Sequence, residues 1–181
     1  MTVRSPLFDR FPVLESSRLV LRRIRPADSG ALFDLYSDPD VTRHYDLETF
    51  VDRQQAVDLI QAYNQRFDRG IGLRWGLCLR DDEENLVGTA GFNLWWRQSC
   101  RAILGYDLLP QFWGQGLMTE ALDQVLTFGF DRMDLNRVEA TVFPANEASQ
   151  ALLLKLGFAQ EGVMREYEYV KGCFVDLALY S

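Results

Sequence analysis

The sequence predicts an α+β, or mixed α/β, fold: a central, twisted, largely antiparallel sheet with flanking helices and a β-α-β crossover in its middle. Two observations predict it. Strand-like runs at Ile71–Leu79, Leu86–Leu94 and Arg101–Leu109 follow one another through short connectors, and only antiparallel neighbours can be joined so briefly. After Pro110 the apolar spacing changes to three and four residues, and strand character returns at Arg137, so a helix separates two strands there.

The first strand is Arg18-Leu-Val-Leu-Arg-Arg-Ile24, rich in leucine and β-branched residues. Pro26 opens a helix with Ala31, Leu32, Leu35 and Tyr36 on its apolar face. Ser37-Asp38-Pro39-Asp40 stops it, because a residue before proline avoids the α region. A second helix is expected from about Thr49 through Phe67, with Val51, Ala56, Ile60 and Tyr63 inward and Gly70 and Gly72 ending it. Asp81-Asp-Glu-Glu-Asn85 reads as a polar turn inside the meander. Met118, Ala121, Leu122, Val125, Leu126, Gly129 and Met133 form one face of the central helix. A strand at Arg137–Phe143 follows, then a helix at Glu147–Leu156 closed by Gly157. The final strands, Glu161–Val170 and Phe174–Tyr180, turn at Lys171-Gly172.

The composition belongs to a globular protein able to build a full core: 181 residues, 48% hydrophobic and 25% charged. This suits one domain spanning 1–181, with 1–13 as an extension. The 26 acidic residues outnumber the 19 lysines and arginines, giving a net charge of -7. Such a surface repels phosphate backbones and attracts amines, polyamines and basic peptides, so nucleic acid is not an expected partner. Cys78, Cys100 and Cys173 are an odd number and far apart, which fits a reducing compartment rather than a disulfide scaffold. Met1 to Leu14 holds Arg4, Asp9 and Arg10, so it makes no signal-peptide core. No apolar run reaches the ~20 residues of a membrane helix. A cytoplasmic location away from membranes is expected. These cysteines and His44 show no metal-ligand spacing, and no metal is expected.

The most informative segment is Gly105-Tyr-Asp-Leu-Leu-Pro-Gln111-Phe-Trp-Gly114-Gln-Gly116-Leu-Met-Thr-Glu-Ala121. A strand enters a two-glycine turn that opens a long helix, which aims backbone N–H groups and the positive helix end at one point. That geometry suits a phosphate or pyrophosphate, although the glycines could equally serve the turn alone. A dinucleotide fingerprint fails because Thr119 stands where its third Gly or Ala belongs, and a Walker loop fails for want of Gly-Lys-Ser/Thr. With one histidine and no Gly-x-Ser-x-Gly elbow, a hydrolase triad has little to build on.

Gln111-x-x-Gly114-x-Gly116 resembles the acetyl-CoA pyrophosphate loop of the GNAT acetyltransferase superfamily, Arg/Gln-x-x-Gly-x-Gly/Ala. Gly105-Tyr106, Asn146-x-x-Ser149, Leu156-Gly157-Phe158, Glu161-Gly162-Val163-x-Arg165 and Tyr169-Val-x-Gly172-x-x-x-Asp176 extend the resemblance in order. They are similar to the branch holding the ribosomal-protein N-terminal (alanine/serine) acetyltransferases. The resemblance runs from about Leu14 to the C-terminus and is weakest between Tyr36 and Gly70.

The resemblance implies an N-acetyltransferase moving the acetyl group of acetyl-CoA directly to a primary amine, a protein N-terminus or small amine. The alternative is a non-catalytic acetyl-CoA-binding module on the same fold. The strand before the loop, Ile103–Leu109, would splay from its neighbour and bind pantetheine, and the N–H groups of Gln111 to Met118 would hold the pyrophosphate. The implied cofactor residues are Leu108, Leu109, Gln111, Gly114, Gln115, Gly116, Leu117, Met118, Thr119, Asn146 and Ser149. Asn146 also reads as a helix N-cap. Ser149 matches the position that protonates the departing thiolate, or it bonds locally to backbone. Glu166 and Glu168 are expected on one strand face, and Glu168 matches the branch's carboxylate base. An α-amino group has a pKa near 8, so losing that base would cost little. Trp113 is expected to pack the loop, and Ser37–Arg69 to line one wall of the acceptor groove. A homodimer is compatible with the resemblance, although no segment marks an interface.

Overall fold

The computed structural model describes residues 9–181. Its strands are β1 (Leu14–Glu15), β2 (Leu19–Arg23), β3 (Leu73–Leu79), β4 (Asp82–Trp96), β5 (Arg101–Leu108), β6 (Arg137–Val142), β7 (Gln160–Val170) and β8 (Cys173–Tyr180). The helices are α1 (Ser29–Ser37), α2 (Pro39–Thr42), α3 (Arg53–Arg69), α4 (Leu117–Arg132) and α5 (Glu147–Lys155). The strands form one sheet in the order β1-β2-β3-β4-β5-β6-β8-β7. All pairings are antiparallel except β5 with β6, the two strands that α4 connects.

Burial follows the sequence pattern. One apolar cluster joins Leu122 and Val125 of α4 to Trp75, Phe92 and Val138 of the sheet, and the Phe128 ring meets Trp75 edge-on at 5.5 Å. A second joins α1 and α3, through Leu32, Leu35 and Ile60, to Ile24 and Leu86. Of the expected extension 1–13, residues 1–8 lie outside the described residues. Beyond them, the Phe11 ring rests 4.8 Å from Phe67, and the Pro12 carbonyl accepts from Trp75 Nε1.

Three differences from the sequence reading have a local reason. α3 starts at Arg53 rather than Thr49, because Asp52 and Gln55 form a capping box; Val51 therefore precedes the helix and is 86% exposed instead of inward. Pro39 ends α1 as expected but opens α2, whose N-cap Asp38 accepts from the Asp40 N–H. The acidic run is not all turn: Asp82 to Asn85 already belong to β4, where their side chains meet water.

Candidate active site

Pairing of β5 with β6 covers only Arg101–Ile103 against Arg137–Glu139. Beyond that point β5 stays with β4, while Ala140–Val142 of β6 pair with β8. The two parallel strands part, and a cleft of about 1100 Å³ opens between them. Its lining includes Ile103–Leu108, Ala140–Phe143, the glycine turn, the start of α5 and residues 43–46.

The glycine turn stands at one end of this cleft. Gly114 and Gly116 have φ of 71° and 76°, left-handed values that strain other residues. A Cβ on Gly114 would find no atom within 4 Å, so the turn presents open backbone. The first N–H of α4 to find an intrachain carbonyl is that of Glu120, to Gly116. The N–H groups of Leu117, Met118 and Thr119 precede it at the positive helix end. Two members of the expected anion-binding run are already spent, because the Phe112 and Trp113 N–H groups donate to Leu109 and Pro110 carbonyls. Trp113, expected to pack the loop, is half-exposed and ties it to β5 instead by a hydrogen bond, Nε1 donating to the Leu108 carbonyl at 2.7 Å. Arg18 braces it from outside, donating to Glu120 at 2.7 Å and to the Gln115 carbonyl at 3.0 Å. Against the opposing effect of burial, hydrogen bonds from Ser16, Arg18 and Ser17 hold the Glu120 carboxyl down at about 2.

Asn146 and Ser149 stand on the wall formed by α5. Asn146 caps that helix by accepting the Ser149 N–H at 3.1 Å. The Ser149 hydroxyl reaches across to β5, where it lies 2.6 Å from the Tyr106 hydroxyl. Burial pushes the Tyr106 phenol up to about 12, against the pull of that hydrogen bond. Glu168 also lines the cleft, with Asp46 nearby. Burial first, then the Asp46 charge, raises the Glu168 carboxyl above its ordinary range.

Glu166 and Glu168 do not share a regular strand face. Met164 pairs with Leu177 and Glu168 with Val175, so four steps along β7 match two along β8. Glu166 sits in this bulge with φ 50°, its N–H donating to Asp176 at 2.8 Å. Only Glu168 lines the cleft.

The remaining expected cofactor residues divide. Leu108, Gly114, Gly116, Leu117, Met118, Thr119, Asn146 and Ser149 line the cleft together, whereas Leu109, Gln111 and Gln115 are not among its lining residues. Leu109 gives its N–H to the Val87 carbonyl, and the Gln115 side chain donates to the Gln111 carbonyl. From the expected Ser37–Arg69 wall, the lining residues are Asp40, Val41 and 43–46, with none from α3. The His44 imidazole is held below its usual value by burial, then by Arg43 and Lys171.

Sequence reasoning missed the polar network under the cleft floor. Asp107 is buried beside Arg74, and its Oδ2 also accepts from Tyr36 at 2.8 Å and Thr89 at 3.3 Å. Arg74 donates further to Thr89 at 3.0 Å and to Asn93 at 2.9 Å. Gly105 belongs to this network through its lack of a side chain: a Cβ there would lie 2.5 Å from Arg74 Nη1 and 2.5 Å from Asn93 Nδ2. The one signal available was Arg74 itself, a charge inside the apolar run Leu73–Leu79.

Among the described residues no group of His, Cys, Asp or Glu is placed to hold a metal ion, and no helix is long and apolar enough to cross a membrane. Residues 18–159 match the family model of the acetyltransferase (GNAT) domain. The uncharacterized N-acetyltransferase YoaA of Bacillus subtilis (strain 168) is 42% identical over 171 residues, covering 94% of this chain and 96% of that protein. The [ribosomal protein uS5]-alanine N-acetyltransferase of Escherichia coli (strain K12) is 29% identical over 174 residues, covering 92% and 88%. Among solved structures, RimL, a ribosomal L7/L12 alpha-N-protein acetyltransferase in complex with coenzyme A, shares the fold with a TM-score of 0.84 at 24% identity, covering 93% and 96%. The sheet that parts at the crossover, the glycine turn at its mouth and the match across most of the sequence agree: the chain belongs to the GNAT acetyltransferase family.

Proposed function

We propose that this protein transfers the acetyl group of acetyl-CoA directly to a primary amine at the N-terminus of a peptide or protein. The observation that carries this reading is the cleft where β5 leaves β6, with free helix-end N–H groups at its mouth and Ser149 and Glu168 on its walls. The residues fit the cofactor: the open backbone at Gly114 leaves room for a pyrophosphate, and the edge of β5 beyond Ile103 has no partner in β6. The bound cofactor supplies an activated acetyl thioester.

The chain's own contribution is mainly positioning. The N–H groups from Gly114 to Thr119 hold the pyrophosphate, helped by the positive end of α4. The open edge of Leu104–Leu108 would hold the pantetheine arm. An N–H of this strand polarises the thioester carbonyl. Ser149 gives its hydroxyl proton to the departing sulfur, held in place by the cap that Asn146 makes. Glu168 receives the proton that the amine loses on attack, directly or through water. Its raised pKa brings it nearer the amine's.

The peptide class is supported by the uS5-alanine N-acetyltransferase among the relatives and by acidic side chains at the acceptor end, Asp46 and Glu168. A basic or neutral N-terminal segment is favoured over an acidic one. A non-catalytic module is not supported, since Ser149 and Glu168 both line the cleft and the relatives are N-acetyltransferases.

Calorimetric titration with acetyl-CoA, alongside Gly114→Trp, tests the cofactor. The indole would stand in the open space at the turn, so the folded variant should lose binding that wild type has. Wild type without affinity for acetyl-CoA refutes the reading. A library of peptides varied at the first residues, read by mass spectrometry, then tests the acceptor. Binding of acetyl-CoA with no acetylation of any peptide refutes the peptide class alone.

A further inference from the structure

We propose that Tyr106 is a positioning residue for the thiolate-protonating step, donating its phenolic hydrogen to Ser149 Oγ so that the serine's own proton faces the cleft. This rests on the acetyl-CoA reading above and deepens it. Tyr106 lies on the stretch of β5 that has parted from β6, and its hydroxyl crosses the cleft to Ser149 on α5 at 2.6 Å. Both residues line the cleft.

The direction of this bond follows from chemistry. A hydroxyl carries one proton and two lone pairs, so one of the two hydroxyls donates and the other keeps its proton for a third group. A phenol, with an ordinary pKa near 10, is a stronger donor than an aliphatic alcohol. The Ser149 carbonyl, which can only accept, also lies 3.5 Å from the Tyr106 oxygen, so two acceptors of one residue face this phenol. With burial raising the phenol to about 12, Tyr106 stays protonated through the working range and does not itself ionise. Ser149 cannot then spend its proton on Tyr106, and the Asn146 cap, which accepts the Ser149 N–H, holds the first turn of α5 that carries the hydroxyl. Among the described residues Tyr106 is the one hydrogen-bond partner of Ser149 Oγ, which itself lines the cleft, so the serine O–H is left free to serve a group bound there. As the carbon–sulfur bond breaks, the sulfur takes up the Ser149 proton, the phenol keeps its own and stabilises the serine oxygen, and solvent restores the serine proton.

The test uses the pKa of the CoA thiol in the complex, followed by thiolate absorbance, so it needs no acceptor. A donor aimed at sulfur favours the thiolate. Bound to wild type, the thiol should therefore titrate below free CoA. The titratable and charged groups lining the cleft, Asp40, Arg43, His44, Asp46, Asp107, Glu147, Lys155 and Glu168, are unchanged in the variants and so drop out of the comparison. S149A should raise the bound thiol pKa by about 1–2, the worth of a hydrogen bond to a charged group. Y106F should raise it by about 0.5–1 and lower kcat about three- to tenfold, with acetyl-CoA affinity unchanged. Adding Y106F to S149A should change neither quantity further, because Tyr106 acts only through Ser149.

Additive effects in the double variant overturn the proposal. A thiol unmoved by Y106F, or Y106F costing more than S149A, does so too; the latter would make Tyr106 the direct donor. Loss of acetyl-CoA affinity in Y106F would show a merely structural role. If CoA does not bind wild type, the underlying acetyltransferase reading fails, whereas binding with an unperturbed thiol sinks only the Ser149–Tyr106 arrangement.

Discussion

Arg74→Met separates electrostatics from packing at the floor of the cleft. Methionine keeps much of the side-chain bulk but leaves Asp107 buried with only hydroxyl donors, Tyr36 at 2.8 Å and Thr89 at 3.3 Å. Removing one partner of a buried pair typically costs about 3–5 kcal/mol. For a chain of this length that corresponds to a fall in Tm of roughly 6–20 °C. The pH dependence identifies the cause. Burial already raises the Asp107 carboxyl, with Arg74 the first force opposing it; without Arg74 its folded pKa climbs further above the unfolded value of about 3.9. Such a group contributes stability below its unfolded pKa and loses that contribution as pH rises through the folded one. The variant's deficit relative to wild type should thus be larger at pH 8 than at pH 5. Adding Asp107→Asn should recover stability at pH 8 and little at pH 5. Urea unfolding of the three proteins at both pH values measures this. A deficit below about 1 kcal/mol, or one equal at the two pH values, would mean that the network is packing rather than charge.

Two further outcomes follow from the same region and from the proposed base. Gly105→Ala drives a Cβ to 2.5 Å from Arg74 and Asn93, and because Arg74 is tied to three partners it cannot give way; the cost should be about 3 kcal/mol by thermal unfolding, and a loss near zero would mean the network yields. For Glu168→Gln, kcat/KM should fall about tenfold or less, since a free α-amino group is partly neutral near pH 8. The acid limb set by the raised Glu168 carboxyl should vanish from its pH profile. A carboxyl whose folded pKa is raised stabilises only while protonated, so at neutral pH the glutamine variant should melt no lower than wild type. A clear drop in Tm, or an acid limb that persists, would remove Glu168 from the role of base.

What the sequence made legible is what local rules write. Gly114 and Gly116 announce their turn because left-handed backbone restricts residue choice at those two positions, and α4 announces itself by its spacing. The Asp52–Gln55 capping box was equally legible, and reading it would have placed Val51 outside the helix. Other features are written in partners far along the chain. Tyr36, Arg74, Thr89 and Asp107 meet only once α1, β3, β4 and β5 are assembled, so no spacing relates them. The Tyr106–Ser149 bond likewise spans 43 residues.

The β7 bulge shows how such a long-range feature decides chemistry. Alternation alone puts Glu166 and Glu168 on one face and leaves two equivalent carboxylates. The Asp176 carboxylate of β8 accepts the Glu166 N–H and holds that residue at φ 50°, which breaks the alternation. Two extra residues are taken up there relative to β8, and the register resumes at Glu168 against Val175. Glu168 alone then faces the cleft, where burial and Asp46 raise its pKa. The proposed base is therefore singled out by pairing on the neighbouring strand, and the feature that tells the two glutamates apart is Asp176, eight residues beyond Glu168.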